Sequence, residues 1–316
     1  MLNLLRRGAP GFDLQTPTAG WRPPEDAVWL DLLTPTREEE LAIEAALGVE
    51  LPTPEEMAQL EPSSRLYQEH GATFMTATLL SRADAGPKSV PVTFVLTKGV
   101  LITMRYDELR AFTVFAQRAP AAGLLSGASA LLGLLDAVVE RLADVLEAEG
   151  AAVETASAGI FNRPQNKLFE ALLTDLAKAQ SLTSLTRTSL VSLARMLSFA
   201  SLAQEMASDQ DCSAHLKSLQ SDVQSLTEHA SFESSRISFL LDAALGLINI
   251  EQNGIIKIFS VMAVIFMPPT LVASIYGMNF HHMPELGWPL GYPMALGLMV
   301  VSALVPVLWF RKRGWF

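Results

Sequence analysis

Between Lys257 and Tyr276 the chain holds roughly 18 uncharged and mostly apolar residues, close to what one helix needs to cross the hydrocarbon of a bilayer. Nothing else in the sequence limits the fold as strongly, because in lipid every backbone amide must find its partner inside the helix. The full stretch, residues 255–280, reads IIKIFSVMAVIFMPPTLVASIYGMNF. It stops at Gly277-Met278-Asn279, where such a helix would reach the far surface. A second apolar run, residues 292–310, follows a short polar loop and is closed by Arg311-Lys312-Arg313. Trp288 and Tyr292 sit at one end of that run, and Trp309 and Trp315 at the other, as interfacial aromatic residues do. Basic residues favour the cytoplasmic side, and the loop over residues 276–291 has no Lys or Arg. The expectation is a multi-pass protein of the cell (inner) membrane, with both termini cytoplasmic and the loop outside, periplasmic or extracellular.

Half of the residues are hydrophobic, yet the formal net charge is −10. Segregation reconciles the two. From Ile255 onward there are four basic residues and one acidic one, so the part before it carries 19 basic against 32 acidic side chains. An acidic soluble part on an apolar, basic-edged anchor is the simplest reading. A single cysteine cannot form an intrachain disulfide, which fits a reducing compartment. Arg6-Arg7 near the N-terminus is not followed by an apolar run of signal-peptide length, and the two arginines are read as solvated.

Three domains are expected: a cytoplasmic α/β domain over 1–120, a long-helix stalk over 121–254, and a two-helix membrane domain over 255–316. In the first, Ala27–Leu33, 73–80, 90–97 and Val100–Arg105 are rich in Val, Ile, Thr, Phe and Leu at strand length. Lys98-Gly99 reads as a hairpin turn and Asp84-Ala85-Gly86-Pro87 as a looser one. Capping boxes at Thr36 with Glu39 and Thr53 with Glu56 start two short helices, the second with Pro54 at its first position. A further helix is expected over 107–117.

The composition then turns rich in Ala and Leu over 124–158. Between Pro164 and Pro268 lie about a hundred residues without proline, far beyond an ordinary globular helix. An interruption is expected over 206–212 (MASDQDC), where Asp209 or Asp211 would cap a new helix. That divides the run into a helix of ~40 residues and a longer one entering the membrane, on the order of 90 Å at 1.5 Å per residue. The longer helix has a small and polar seam. Asp242, Gly246, Asn249, Asn253, Ile256 and Ser260 lead, at spacings of three and four, into Ala263, Met267, Thr270, Ser274 and Gly277. A lipid-facing anchor has no use for such a stripe; around a shared axis it would line a water-filled hole.

Catalysis finds no support: there is no GxxxxGK loop, no HExxH and no dinucleotide fingerprint. Cys212 and His215 have metal-like spacing but stand as a lone pair on a helix, and the outer His281-His282 pair reads as solvated. Two spans cannot enclose a pore, so conduction needs several copies around an axis. Backbone carbonyls freed at Gly277, with a ring of Asn279 amides, would make a neutral oxygen-rich mouth. That suits Mg²⁺, which sheds water reluctantly and prefers oxygen ligands. Met267 and Ile256 would be apolar constrictions able to gate by dewetting. Gly and Asn are also ordinary helix C-caps, and the tripeptide alone leaves both readings open.

The longer string narrows them. Tyr276-Gly277-Met278-Asn279-Phe280, Met283-Pro284-Glu285-Leu286 and Gly291-Tyr292-Pro293 resemble the CorA family of magnesium channels. So do the upstream runs from Asn249 to Asn253, Ile256 to Ser260 and Phe266 to Leu271. The resemblance is dense from about Leu240 to the C-terminus and looser upstream. It implies an α+β cytoplasmic domain, long stalk helices and two C-terminal transmembrane helices in a funnel-shaped homopentamer. It also implies gradient-driven flow of Mg²⁺, and in many members Co²⁺ or Ni²⁺, without ATP, closing when intracellular Mg²⁺ occupies sites between subunits. Gly277, Met278 and Asn279 would bind hydrated Mg²⁺ at the outer mouth. Asn253, Met267 and Thr270 would line the pore, and Asp242 would form an acidic ring on the cytoplasmic side.

No cofactor is expected beyond Mg²⁺ as substrate and regulatory ligand, and the partners are further copies of the chain, membrane lipids and divalent cations, without nucleic acid. His281-His282 departs from the acidic and aromatic pair common in the family, which makes the mouth less negative and pH-sensitive. Asp222 and Glu228 are candidates for the regulatory carboxylates, though charged residues on a long helix are usually a solvated face. A zinc carrier of the same superfamily and a membrane-tethered scaffold are the competing readings. The Met of the tripeptide and the Met283 string speak against the first, and the seam against the second.

Overall fold

The structure is a computed structural model. It describes the chain apart from Met1, Ala19, Leu60, residues 84–85, 162–165, 279–280, His282 and 315–316, together with the side chains of Pro62, 82–83 and 166–169. The chain divides into two compact units, Met1–Leu241 and Asp242–Phe316.

The first unit is built on a seven-stranded sheet. Its strands are β1 (Leu2–Arg6), β2 (Phe12–Gln15), β3 (Ala27–Leu33), β4 (Leu66–Glu69), β5 (Ala72–Ala83), β6 (Gly86–Thr97) and β7 (Val100–Arg105). They lie in the order β2-β1-β3-β7-β6-β5-β4. β3 and β7 run parallel and the remaining neighbours antiparallel. The four expected strands form. β1, β2 and β4 are additions, and Arg6, at the surface as expected, pairs across the β1–β2 hairpin. Its Nε donates to Asp13 Oδ2 at 2.9 Å across that hairpin, with both side chains still partly exposed. The β6–β7 turn is tight: Thr97 pairs with Val100, and Lys98 and Gly99 both take positive φ. Two consecutive left-handed residues match the natural twist of a hairpin.

Around the sheet come α1 (Arg37–Leu47), α2 (Pro54–Met57), α3 (Pro62–Arg65), α4 (Arg110–Arg118), α5 (Gly127–Phe161), α6 (Asn166–Ala200) and α7 (Gln204–Ala207). Both capping boxes close as expected. Thr36 and Thr53 each accept from the amide three residues on, and Glu39 and Glu56 reach back to the cap amides. One face of the sheet packs Leu4, Leu30, Phe74 and Ile102 with Ile43 and Leu47 of α1. The other packs Trp29, Met75 and Phe94 against α4, α5 and α6. α5 approaches β7 very closely at its start, where the Gly127 amide donates to Gly99 O at 2.6 Å. A Cβ on Gly127 would stand 2.4 Å from the backbone of Val100 and Leu101, so only glycine fits.

Between α6 and the next long helix the chain breaks at Ala200, about two turns before the expected interruption. The new helix, α8 (Gln210–Tyr276), is capped by Asp209, one of the two residues expected to do so, whose Oδ1 accepts from the amides of Asp211 at 2.9 Å and Cys212 at 3.3 Å. In the first unit its Leu216, Leu219, Val223 and Ala230 join the core beneath the sheet. α8 continues without interruption through Pro268 and Pro269.

The second unit holds the remainder of α8, a 3₁₀ turn at Pro284–Gly287 and α9 (Gly291–Lys312). α8 and α9 are both long and apolar enough to cross a membrane. Large side chains such as Phe259, Phe266, Leu271 and Leu304 stand more than half exposed, an arrangement that water would penalise and lipid would not.

Candidate ion pathway

From Val261 to Tyr276 the shielded side chains of α8, with Pro269 beside them, fall on one stripe. Val261 is buried, and Ile265, Pro268, Val272 and Tyr276 are half-buried. Their spacings of four, three, four and four trace a single helical face. α9 has a matching stripe of Gly291, Ala295, Met299, Ser302, Pro306 and Phe310. These are the faces of the two spans that are shielded within the unit.

The seam lies on the opposite side. Ile256, Ser260, Ala263, Met267, Thr270 and Ser274 are all exposed, about half a turn around the helix from the shielded stripe. Met267 is 68% exposed, although it sits in the middle of an apolar run. The Thr270 hydroxyl donates to Phe266 O at 2.7 Å, so the helix itself satisfies the donor and leaves lone pairs on the oxygen. Nearer the first unit, Asp242, Asn249 and Asn253 continue the exposed seam. Beyond Lys257 the seam thus carries Ser260, Thr270 and Ser274 as an uncovered strip through an otherwise apolar span.

The helix ends where the sequence pointed. α8 stops at Tyr276, the Gly277 amide still donates to Ala273 O at 2.9 Å, and the Met278 amide reaches back to Ile275 O at 3.2 Å. Gly277, Met278 and His281 are exposed. Asn279 and His282 lie outside the described residues, as does Trp315 of the aromatic belt.

The remaining candidates separate. Asp222 and Glu228 are exposed on α8, and Glu228 Oε1 accepts from Gln224 Nε2 at 3.2 Å. Among the described residues no three His, Cys, Asp or Glu side chains converge as a metal cage. Cys212 and His215 do not act together: Cys212 is buried, which pushes its thiol up to about 11 with Asp209 adding to the effect, while His215 Nε2 lies 2.7 Å from Asp136 Oδ2 on α5.

Two acidic residues escaped the sequence reading. Glu149 of α5 and Glu233 of α8 are each 5% exposed. Glu149 Oε2 accepts from Thr183 Oγ1 of α6 at 2.8 Å, while its Oε1 and Glu233 Oε2 have no hydrogen-bond partner. Burial pushes the Glu149 carboxyl up to about 7, with the Glu233 charge adding and the Thr183 hydroxyl opposing. The only sequence signal is that both fall at helical spacing from apolar neighbours, which any amphipathic helix shows.

Residues 24–312 match the model of the family described as CorA-like Mg²⁺ transporter protein. The chain is 37% identical over 292 residues to the magnesium transport protein CorA of Pasteurella multocida, covering 92% of each chain. It is 38% identical, at the same coverage, to the protein of that name from Haemophilus influenzae. Its fold matches the complete structure of the CorA magnesium transporter from Methanocaldococcus jannaschii with a TM-score of 0.77 at 17% identity, covering 100% of this chain and 99% of that one. With a family model spanning nearly the whole sequence and relatives of this identity over both units, the chain belongs to the CorA-like Mg²⁺ transporter family.

Proposed function

We propose that this protein is one subunit of a homopentameric channel that carries Mg²⁺ into the cell down its electrochemical gradient, passing Co²⁺ or Ni²⁺ as well. The observation that carries the reading is the exposed seam of α8, opposite the face shielded within its own unit. Small and polar groups left uncovered at membrane depth are costly against lipid but well placed against water and other copies of the same helix. In the assembly, Asp242, Asn249, Asn253, Ile256, Met267, Thr270 and Ser274 face the axis. Met267 and Ile256 form its apolar constrictions, and Asp242 gathers cations at the cytoplasmic end.

At the other end, carbonyls beyond Ala273 that the helix no longer uses join Gly277, Met278 and Asn279 as an oxygen-rich mouth. Such a mouth holds Mg²⁺ through its water shell, because the ion is small and dehydrates reluctantly. The membrane is the cell's inner membrane, with both termini in the cytoplasm, and lipid covers the outward faces of α8 and α9. Intracellular Mg²⁺ closes the channel by binding carboxylates between subunits, with Asp222 and Glu228 as the candidate ligands.

The test is Mg²⁺ uptake in cells lacking other Mg²⁺ importers, with membrane levels of each variant matched. Asn279→Ala should abolish uptake, and Thr270→Cys should conduct until a membrane-impermeant cationic thiol reagent blocks it. Growth rescue by Asn279→Ala equal to wild type would remove the mouth, and a Thr270→Cys variant indifferent to the reagent would remove the seam.

A further inference from the structure

β4 pairs with β5 only through Leu66–Glu69 and residues 72–75, so the outer edge of β5 is without a strand partner from Thr76 onward. Open edges are normally covered or blunted. Here α6 lies along the edge, and Ser192 Oγ accepts from the Thr78 amide at 2.8 Å. Between helix and edge is a cavity of about 340 Å³. Three arginines line it: Arg65 from the end of α3, and Arg187 and Arg195 from one face of α6. The hydroxyls of Thr76, Thr78, Ser184, Thr188 and Ser192 make up the rest of its polar wall.

No carboxylate lines this cavity, and none of the three arginines forms an ion pair among the described residues, in a chain whose formal net charge is −10. Arg65 Nη1 donates to Thr78 Oγ1 at 2.9 Å and Nη2 to Met57 O at 3.2 Å, but its Nε is buried with no partner. Buried donors are rarely left so without an unseen acceptor. Burial and the nearby Arg195 charge pull the Arg65 guanidinium below its ordinary value, so the cationic wall is held together against its own repulsion.

We propose that this cavity is an anion site that takes the phosphate groups of a small polyphosphate, either inorganic or the tail of a nucleoside triphosphate. Guanidinium forks match phosphate oxygens two at a time, which ammonium groups do not. Thr78 and Ser192 accept but do not donate among the described residues, so their hydroxyl protons can complete the shell, whereas Thr188 donates to Ser184 O and Thr76 pairs with Thr93. The volume is at the small end of ligand clefts. Its apolar lining is Leu66 and Val191, with no aromatic ring on which a base could stack, so recognition falls on the phosphates.

The experiment is calorimetric titration of the intact, detergent-solubilised protein with tripolyphosphate and, separately, with ATP, in buffer free of divalent metal. Arg187 and Arg195 are exposed and unpaired, so Arg187→Gln with Arg195→Gln should leave the fold intact, checked by circular dichroism. Wild type should bind, more weakly as salt rises, and the double variant should bind about 100-fold more weakly, about tenfold for each charged hydrogen-bond donor removed. Binding of both anions marks shared phosphate recognition. Binding of tripolyphosphate alone identifies an inorganic source, and binding of ATP alone overturns recognition through the phosphates. Failure of wild type to bind either anion, or equal affinity in the double variant, overturns the proposal. So does a double variant that breaks the assembly into smaller species when wild type binds neither anion, since the wall would then be a contact between copies.

Discussion

Replacing Glu149 with Gln should stabilise the protein above neutrality and leave it nearly unchanged in acid. In the folded unit the carboxyl is 5% exposed, has one hydrogen bond and keeps its proton up to about pH 7, against an ordinary value of 4.5. Because the folded value is the higher one, the stabilisation tied to the proton is complete below about pH 4.5. It declines as pH rises through 7 and is lost beyond. The full displacement corresponds to about 3 kcal/mol at 1.36 kcal/mol per unit. Glu149 also borders a cavity of about 1040 Å³ between α5 and α6, where water can reach the ionised form and screen it. About 2 kcal/mol is therefore the expected loss in wild type.

Glutamine cannot ionise, and its amide oxygen can still accept from Thr183. The assay is thermal unfolding of the detergent-solubilised chain at one scan rate from pH 5 to pH 8.5. Taking variant minus wild type at each pH cancels the other titrating groups. The midpoints should nearly coincide at pH 5, and at pH 8.5 the variant should lie roughly 4–8 °C higher. A difference that does not change with pH, or a variant less stable than wild type at pH 8.5, would refute the reasoning.

Gly127→Ala should destabilise the first unit by about 2–3 kcal/mol, since the added methyl meets the β7 backbone and α5 must shift as a whole. Limited proteolysis across a temperature series would register it as earlier cleavage. Asp31→Ala should cost about 3–5 kcal/mol, because Arg105, itself 7% exposed at the side chain, loses contacts at 2.8 and 3.1 Å and is left charged in the core. Adding Arg105→Ala should recover part of that loss, and thermal midpoints of the single and double variants would measure the coupling.

The elements that rest on local physics were legible in the chain. Two capping boxes, the Lys98-Gly99 turn, the Asp209 cap and the ends of both apolar helices depend on residues within a few positions of one another, and each appears where the pattern put it. The seam was legible for the same reason: helical periodicity alone puts Met267, Thr270 and Ser274 on one face. That Val261, Ile265, Pro268, Val272 and Tyr276 are shielded while the seam stays uncovered, together with the flanks that carry Phe259, Phe266 and Leu271, was decided by packing within the second unit.

What the chain concealed depends on partners distant in sequence. β1 is recognisable only once β2 and β3 flank it, and β4 is four residues long with half of them exposed. Glu149 looked like any charge on an amphipathic helix until α6 and α8 closed over it, and Arg65 has Arg187 and Arg195 beside it only because α6 packs along the edge of β5. Spacing along a helix or strand reports which side chains share a face. Whether that face meets water, lipid or another element, and so what a charge on it costs or can bind, arises only when the elements pack.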